Sequence, residues 1–554
     1  PVNDSESHGV FWVNMPDLAS SINNIQVQRG VGTSTNGAAA FGATVSLQTD
    51  LPAREFSAEV NNSFGSYNTR KHNVIVNSGL INEKWAFQGR LSQVASDGYI
   101  DRASSNLRSY FLSGGYYGKK TVLKALAFGG KERTYQSWYG TPEARLTNDR
   151  QGMEAVAENN GFSEEQTANL LNSGRTFNFY LYEDQVDNYN QDHYQLHLSH
   201  RLTEQLTGNV SLHYTYGRGF FEEFKDDETL SDYNLEPIKT SEVEVTESDL
   251  VRRRRLDNNF YGFTYSFDYN LKNGSNLLLG GAYNEYLGDH FGEVIRTEAG
   301  GERNDNDRYY FSDATKSDFN IYAKANIKLS DKFSVYGDFQ VRTIGYETEG
   351  DDNDGLQIDV DESYKFFNPK AGANFKIDEN SSAYFSYAVG NREPVRSDFT
   401  DNPTDQIPEH EVLNNIELGY KRTGAKYSVS ANYYLMDYNN QLVLTGAVND
   451  VGGNVRENVS ESYRMGIELQ GSFLITDKLL LNANATFSEN KIKNFTETII
   501  DFGSAFDQNI VITNDYTDTD ISFSPNVIAG GQLDYTPIQD LNIAWLSKYV
   551  GKQF

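Results

Sequence analysis

The sequence predicts an all-β chain folded as a transmembrane antiparallel β-barrel, and three observations predict it. Apolar and polar residues alternate with a period of two from Arg54 onward. Short turns alternate with long connections, the pattern of a barrel with tight turns on one side of a membrane and long loops on the other. The composition is rich in Tyr, Phe, Asn and Gly with only 11 Pro, which suits one long β structure better than the several domains expected of a soluble chain of 554 residues. Mean hydropathy is -0.61. No run of about 18 apolar residues exists, so a transmembrane helix is excluded, whereas barrel strands facing lipid and water in turn stay polar on average. Zero Cys rules out a disulfide scaffold and cysteine-ligated metal. A net charge of -29 argues against nucleic acid as a partner.

Residues 1–50 are too short for an independent domain. Within them Gln26–Leu47 places two short alternating segments on either side of a loop of Gly, Ser, Thr, Asn and Ala. Beyond Leu51-Pro52 the strands begin. Phe319, Ile321, Ala323, Ala325, Ile327 and Leu329 take one face of a strand, against Asn320, Tyr322, Lys324, Asn326 and Lys328. Leu479–Phe487 and Met465–Phe473 repeat the pattern, which suits a wall between lipid and water. Short turns recur at Asn82-Glu83-Lys84, Gly118-Lys119-Lys120, Thr203-Glu204-Gln205, Lys272-Asn273-Gly274, Ser330-Asp331-Lys332, Asp378-Glu379-Asn380, Thr423-Gly424, Thr476-Asp477-Lys478 and Pro537–Asp540. Long connections are expected near 137–191, 219–255, 291–315, 349–363, 393–412, 439–462 and 493–525, with a short helix over Glu154–Asn172. Nine short turns imply about eighteen strands, and Leu541–Gln553 starts another, which makes about 19.

The stretch Gln26–Leu47, with Arg29-Gly30 before its small-residue loop, resembles the closing segment of the plug domain of TonB-dependent outer-membrane receptors. Ala388–Phe399, Asp437–Gly446 and Ser547–Gln553 resemble segments of such receptors in Bacteroidetes-type bacteria, and the chain is iron-siderophore-receptor-like. The resemblance implies that residues 1–50 are the C-terminal part of a plug held in the lumen and that 51–554 are the barrel. Plugged barrels have about 22 strands, so the wall is expected to be incomplete at the C-terminus. Pro1 starts no signal peptide, so the native protein is expected to be longer at both ends. The resemblance further implies a multi-pass barrel in the outer membrane of a Gram-negative bacterium, in contact with lipid and lipopolysaccharide, monomeric, and driven through TonB, whose box is not in this chain.

Each candidate site residue carries two readings. Ser34, Thr35 and Asn36, at the resembled plug apex, either hydrogen-bond substrate oxygens or close a turn. Arg29 is expected to anchor the plug to a wall carboxylate. Arg252, Arg253, Arg254 and Arg255 are expected at the outer mouth of a strand Leu256–Leu271, two pointing in and two out. They pair with Glu242, Glu244, Glu247 and Asp249 and with surface lipid, or they grip an anionic chelate bidentately. Trp138 and Tyr139, with Tyr309, Tyr310 and Phe311, stack on a flat chelate or form an interfacial girdle. Arg392 and Arg396 flank Pro394 at another mouth. Asp351–Gly355 lacks the Glu of a calcium loop. His193 and His197, about 13 Å apart along a strand, cannot share a metal ion. No metal site and no bound cofactor are expected.

No catalytic residue is expected: G-x-S-x-G is absent. The function the resemblance implies is import of a small-molecule metal chelate, a ferric siderophore or ferric carboxylate. The rivals are import of cobalamin, haem or oligosaccharide, and a surface receptor or adhesin for a partner protein.

Overall fold

The computed structural model describes residues 2–37, 41–49, 53–239, 244–303, 308–353, 355–401, 407–448, 454–501 and 510–553. The period-two segments become strands that follow one another in chain order around a closed barrel, from Ser57–Phe64 to Leu541–Val550. Among the described residues nineteen strands build the wall, while Gly301–Glu302 and Ile510–Asp520 add short outer ladders to it. Neighbours pair antiparallel; some ladders carry a register shift, as at Val251/Arg252, and others run unbroken, as Ile321 with Val341 and Val341 with Phe367 show. The ring order sets Leu541–Val550 beside Ser57–Phe64. Among the described residues each of these two carries its antiparallel ladder on one side, with Val527–Ile538 and Arg70–Asn77 respectively.

The two faces divide as the alternation requires. Phe319, Ile321, Phe339, Val341 and Phe367 are exposed on the outside, and the Phe339 and Phe367 rings stack at 6.4 Å. Between them in sequence, Asn320, Asp338, Gln340, Arg342, Asn368 and Lys370 are buried on the inside. A water-soluble barrel would have the opposite arrangement; an apolar outside around a polar lumen belongs in a bilayer. Ile321→Arg, in this outer band, is therefore expected to cost about 2–4 kcal/mol when unfolding from lipid vesicles is followed in denaturant. An unchanged midpoint would take that face out of the lipid.

The nine short turns stand where the sequence places them. Gly274 holds φ +85° in its turn, and a Cβ there would meet only the Lys328 side chain at an ordinary 3.8 Å, so the conformation and not crowding asks for glycine. The outer connections differ from expectation. Two of them, 65–69 and 97–104, are short, so the alternation of short with long starts only at the third. The later ones are mostly ladder. Leu206–Thr229 and Glu247–Asn270 have 24 residues each, roughly 80 Å of strand at about 3.3 Å per residue, where about 9–11 residues cross the hydrocarbon. The arginine run therefore lies inside Glu247–Asn270 and not ahead of it. The single helix expected over Glu154–Asn172 is three: Glu143–Thr147, Arg150–Asn159 and Glu164–Asn172. Asp149 caps the second, and a Ser163/Gln166 capping box starts the third. They close on their own core of Met153, Ala157, Leu170 and Phe177.

Residues 2–37 and 41–49 lie in the lumen. The strands Ile22–Arg29 and Ala43–Thr49 pair antiparallel, with a short turn at Ser34–Asn36 between them. Met15 and Leu18 pack on Phe111, Leu126 and Phe128 of the wall. Val31 and Phe41 pack on Ala388, Leu413 and Tyr438, from strands much later in the chain.

Candidate functional site

Residues 2–14 cross the lumen as a partition, and buried charge holds them there. The Glu6 carboxylate accepts from the Tyr286 hydroxyl (2.8 Å), the Tyr346 hydroxyl (2.8 Å) and His290 Nε2 (2.7 Å), with Arg396 at 3.4 Å. The Arg396 backbone N–H donates to the Glu6 carbonyl. Burial by itself pushes the Glu6 carboxyl up, but His290, Arg396 and the Tyr346 hydroxyl hold it well below the usual carboxylate range. Two residues on, His8 Nε2 lies 3.1 Å from Glu393. Glu393 takes both terminal nitrogens of Arg342 (2.8 and 2.9 Å) and Lys316 Nζ (3.0 Å). Arg342 also meets Asp318 at 2.9 Å. Burial raises the Glu393 carboxyl, yet Arg342 and Lys316 bring it far below normal; burial pushes the His8 imidazole down.

The signs fix a pH dependence. His8, lowered in place, charges more readily in the unfolded chain, so its cost appears as pH falls below about 6.5. Glu6 and Glu393, also lowered, contribute fully above about 4.5 and lose that contribution as pH falls further. The protection factors of residues 2–14 against hydrogen exchange, corrected for the intrinsic rate at each pH, are therefore expected to fall from pH 7 to 5 and more steeply below 4.5. Protection that stays level from pH 7 to 4 would remove these groups from the fastening.

A second anchor holds the far end. Asp17 stands at φ +55° and its side chain is 3% exposed. It accepts from Lys71, Ser92 (2.6 Å), Asn73 (3.1 Å) and Ser20 (2.5 Å), and Arg90 lies at 3.2 Å. Burial pushes the carboxyl up, but the hydrogen bonds from Lys71, Ser20, Ser92 and Asn73 set it at about 2. Arg29 pairs with Glu468 of the wall.

The partition separates two cavities. The outer one, about 550 Å³, rests on Asp4–Ser7, Phe11 and Val13 and is walled by Tyr189, Phe220, Phe221, Arg254, Tyr286, His290, Tyr310 and Arg396. The inner one, about 800 Å³, lies nearer the short turns, beside Asn209, Ser211, Thr264 and the Ser34–Asn36 turn. A third cavity, about 1190 Å³, opens beneath the helix Glu164–Asn172 and holds Trp138, Tyr139, Phe179, Tyr180 and Tyr182.

The candidate residues fall into separate places. The arginine run alternates: register puts Arg252 and Arg254 on the His290 face and Arg253 and Arg255 on the other. Its partners are acids across the strands. Arg252 meets Glu223 at 2.9 Å, Arg253 meets Glu222 at 2.8 Å and Arg255 meets Glu293 at 2.6 Å. Glu244, Glu247 and Asp249, expected as partners from their nearness in sequence, do not take that role, because register decides which charges meet; Glu242 lies outside the described residues. Arg254 donates to Asn353 at 2.6 Å and stacks over Phe221. Arg392 and Arg396, expected at one mouth, part: Arg392 pairs with Glu411 beside the inner cavity, and Arg396 joins Glu6 under the outer one. Ser34 is buried at the edge of the inner cavity. Its N–H and hydroxyl both donate to buried Asp338, at 2.8 and 2.6 Å. Thr35 and Asn36 line the inner cavity. Trp138 packs against Phe221 and Tyr180, and Tyr139 against Phe179. Tyr309 and Tyr310 are buried with Tyr233 and Leu235 in the outer ladders, so they belong to no girdle at the lipid surface.

Among the described residues no group of three His, Asp or Glu could hold a metal ion. His193 and His197 bond separately to Thr215 and Ser211. Of the loop Asp351–Gly355, Asp354 lies outside the described residues. Glu6, His8, Asp17 and Glu393 are not visible as a site in the sequence. The available signal was charge at inward positions of the alternation, Lys316, Asp338 and Arg342.

The family model described as TonB dependent receptor-like, beta-barrel, matches residues 115–554. Three solved structures share the fold. The ferric-catecholate import receptor Fiu from E. coli K12 has a TM-score of 0.68 at 15% identity, covering 96% of this chain and 76% of that one. The siderophore receptor PiuA from Acinetobacter baumannii gives the same four values. The alcaligin outer-membrane receptor FauA from Bordetella pertussis has a TM-score of 0.60 at 14% identity, covering 96% and 75%. A search of the curated proteins finds no match.

Proposed function

Because the chain belongs to the TonB-dependent receptor-like β-barrel family, outer-membrane receptors and not enzymes, we propose that it imports a small metal chelate, a ferric siderophore or ferric carboxylate. The observation that supports this reading is the outer cavity. Its volume is that of a small-molecule pocket. Aromatic rings wall it and Arg254 and Arg396 point charge into it. The names of the solved relatives, ferric-catecholate import, siderophore and alcaligin reception, lean the same way.

In this reading Trp138 and Tyr139 meet the chelate at the mouth, and Arg254 and Arg396 hold it above the partition. Arg252, Arg253 and Arg255 keep the wall around it in shape through their acids. Energy passed through TonB shifts the lumenal segment, whose resting place Arg29 helps to fix against Glu468. The ligand then reaches the inner cavity, where Thr35, Asn36 and Arg392 receive it, with Ser34 bracing their turn on Asp338. The protein itself keeps no metal or cofactor, and it works as a monomer among outer-membrane lipid and lipopolysaccharide.

Titration calorimetry of the purified full-length receptor against ferric citrate, ferric catecholates, haem and cobalamin tests this. One ferric chelate is expected to bind, and Arg254→Ala to weaken it about tenfold to a hundredfold through loss of a charged hydrogen bond. Tight binding of haem or cobalamin alone would replace the substrate class. Binding of none would move the reading to oligosaccharide or to a partner protein.

A further inference from the structure

We propose that the outer cavity binds a ligand carrying a protonated amine, which it holds between Glu132 and Asp187. The proposal rests on reading that cavity as the landing site and adds the charge its ligand must bring. In the ladder Glu132 faces Tyr189 and Thr134 faces Asp187, so the two carboxylates share the lumenal face as diagonal neighbours. Their Cβ atoms are then within about 7–8 Å, close enough for one ammonium to reach both. Both line the outer cavity.

Glu132 is the anomaly there. It is 6% exposed, and its Oε2 has no hydrogen-bond partner. Neither Glu132 nor Asp187 stands in an ion pair among the described residues, whereas other acids of the same region are matched: Glu6 by His290 and Arg396, Glu222 by Arg253, Glu223 by Arg252, Glu293 by Arg255. A buried carboxylate beside a second one, without a cation, is unfavourable until a positive charge arrives.

A second unpartnered atom faces the same space. His193 is 2% exposed, its Nδ1 is satisfied by Thr215, its ring stacks on Phe128 at 4.6 Å, and its Nε2 has no partner. It stands four residues along the strand from Tyr189, about 13 Å, too far to share the ammonium, so it takes another polar group of the same ligand. The Tyr189 ring, also on the cavity wall, suits a cation, whereas the Phe220 ring already carries Arg253 at 4.4 Å and Arg255 at 5.0 Å.

The test uses the full chain in detergent with three probes: the ferric complex of a linear trihydroxamate bearing a terminal primary amine, the same complex with that amine acetylated, and iron-free spermidine. The amine form is expected to bind about tenfold to a hundredfold more tightly than the acetylated form. The double variant Glu132→Gln, Asp187→Asn should erase that difference. Spermidine should raise the thermal midpoint of the wild type and not of the variant. Equal binding of both chelates with no spermidine effect overturns the proposal and leaves the chelate reading standing. Spermidine stabilisation confined to the wild type, with neither chelate bound, keeps the amine site and removes linear trihydroxamates from the chelate reading. No effect from any probe overturns the proposal, and the chelate reading then stands or falls on ferric citrate and the ferric catecholates. The variant without ligand should melt no lower than the wild type, because it removes buried uncompensated charge; a lower midpoint assigns the carboxylates to the wall's own stability and sinks the proposal.

Discussion

Glu393→Ala is expected to release residues 2–14 from the wall at a cost of roughly 3–5 kcal/mol. The carboxylate is 1% exposed and faces Arg342, Lys316 and His8. In the native cluster Glu393 and Asp318 balance Arg342 and Lys316. Removing one acid leaves a net positive charge in a place with almost no water, and a buried pair that loses one member is far more costly than one replaced whole. Glu393→Gln keeps the shape and loses only the charge, so it should fall between. The readout is limited proteolysis with thermal unfolding in detergent: bonds within residues 2–14 become cleavable while the wall stays intact. Because that stretch is also the floor of the outer cavity, ligand affinity should fall with it. A variant that resists protease as the wild type does would show that the cluster carries little of the fastening.

Asp17→Ala is expected to cost a similar roughly 3–5 kcal/mol at the other anchor, and to leave the outer cavity unaffected. Two cations, Lys71 and Arg90, lose the carboxylate between them. A further term comes from the backbone: φ +55° is tolerated by Asp and Asn and costs alanine about 1–2 kcal/mol. Asp17→Asn should therefore lose only the charge. The order wild type, Asn, Ala in thermal midpoint separates the two causes. Coincident Asn and Ala midpoints would remove the backbone term. Ligand affinity lost here as fully as in Glu393→Ala would mean that the two anchors act as one.

The wall was legible because lipid imposes the alternation. Phe319–Leu329 reads directly as one apolar and one polar row, and tight turns such as Lys272-Asn273-Gly274 mark where it reverses. Above the membrane both faces of a strand are wet, the alternation loses its cause, and the upper halves of Leu206–Thr229 and Glu247–Asn270 read as loop. The candidate site was legible in residue type and not in pairing. Four consecutive arginines were plain, but Glu222, Glu223 and Glu293 are their partners by register, which a neighbouring strand sets. Glu6, His8 and Asp17 look like ordinary polar residues of a loop. Their weight comes from Glu393, Arg342, Arg90 and Lys71, tens to hundreds of positions away.

The long ladders have a consequence for recognition. Strands that stay hydrogen-bonded well past the bilayer, as Phe333–Asp351 does with Gln357–Lys376 up to the pair of Asp351 with Gln357, carry their side chains on a stiff rim and not on floppy tips. A guest arriving there finds contact groups already in position, and little conformational freedom is lost on capture. Discrimination between similar guests should therefore show chiefly as differences in residence time, with similar rates of arrival.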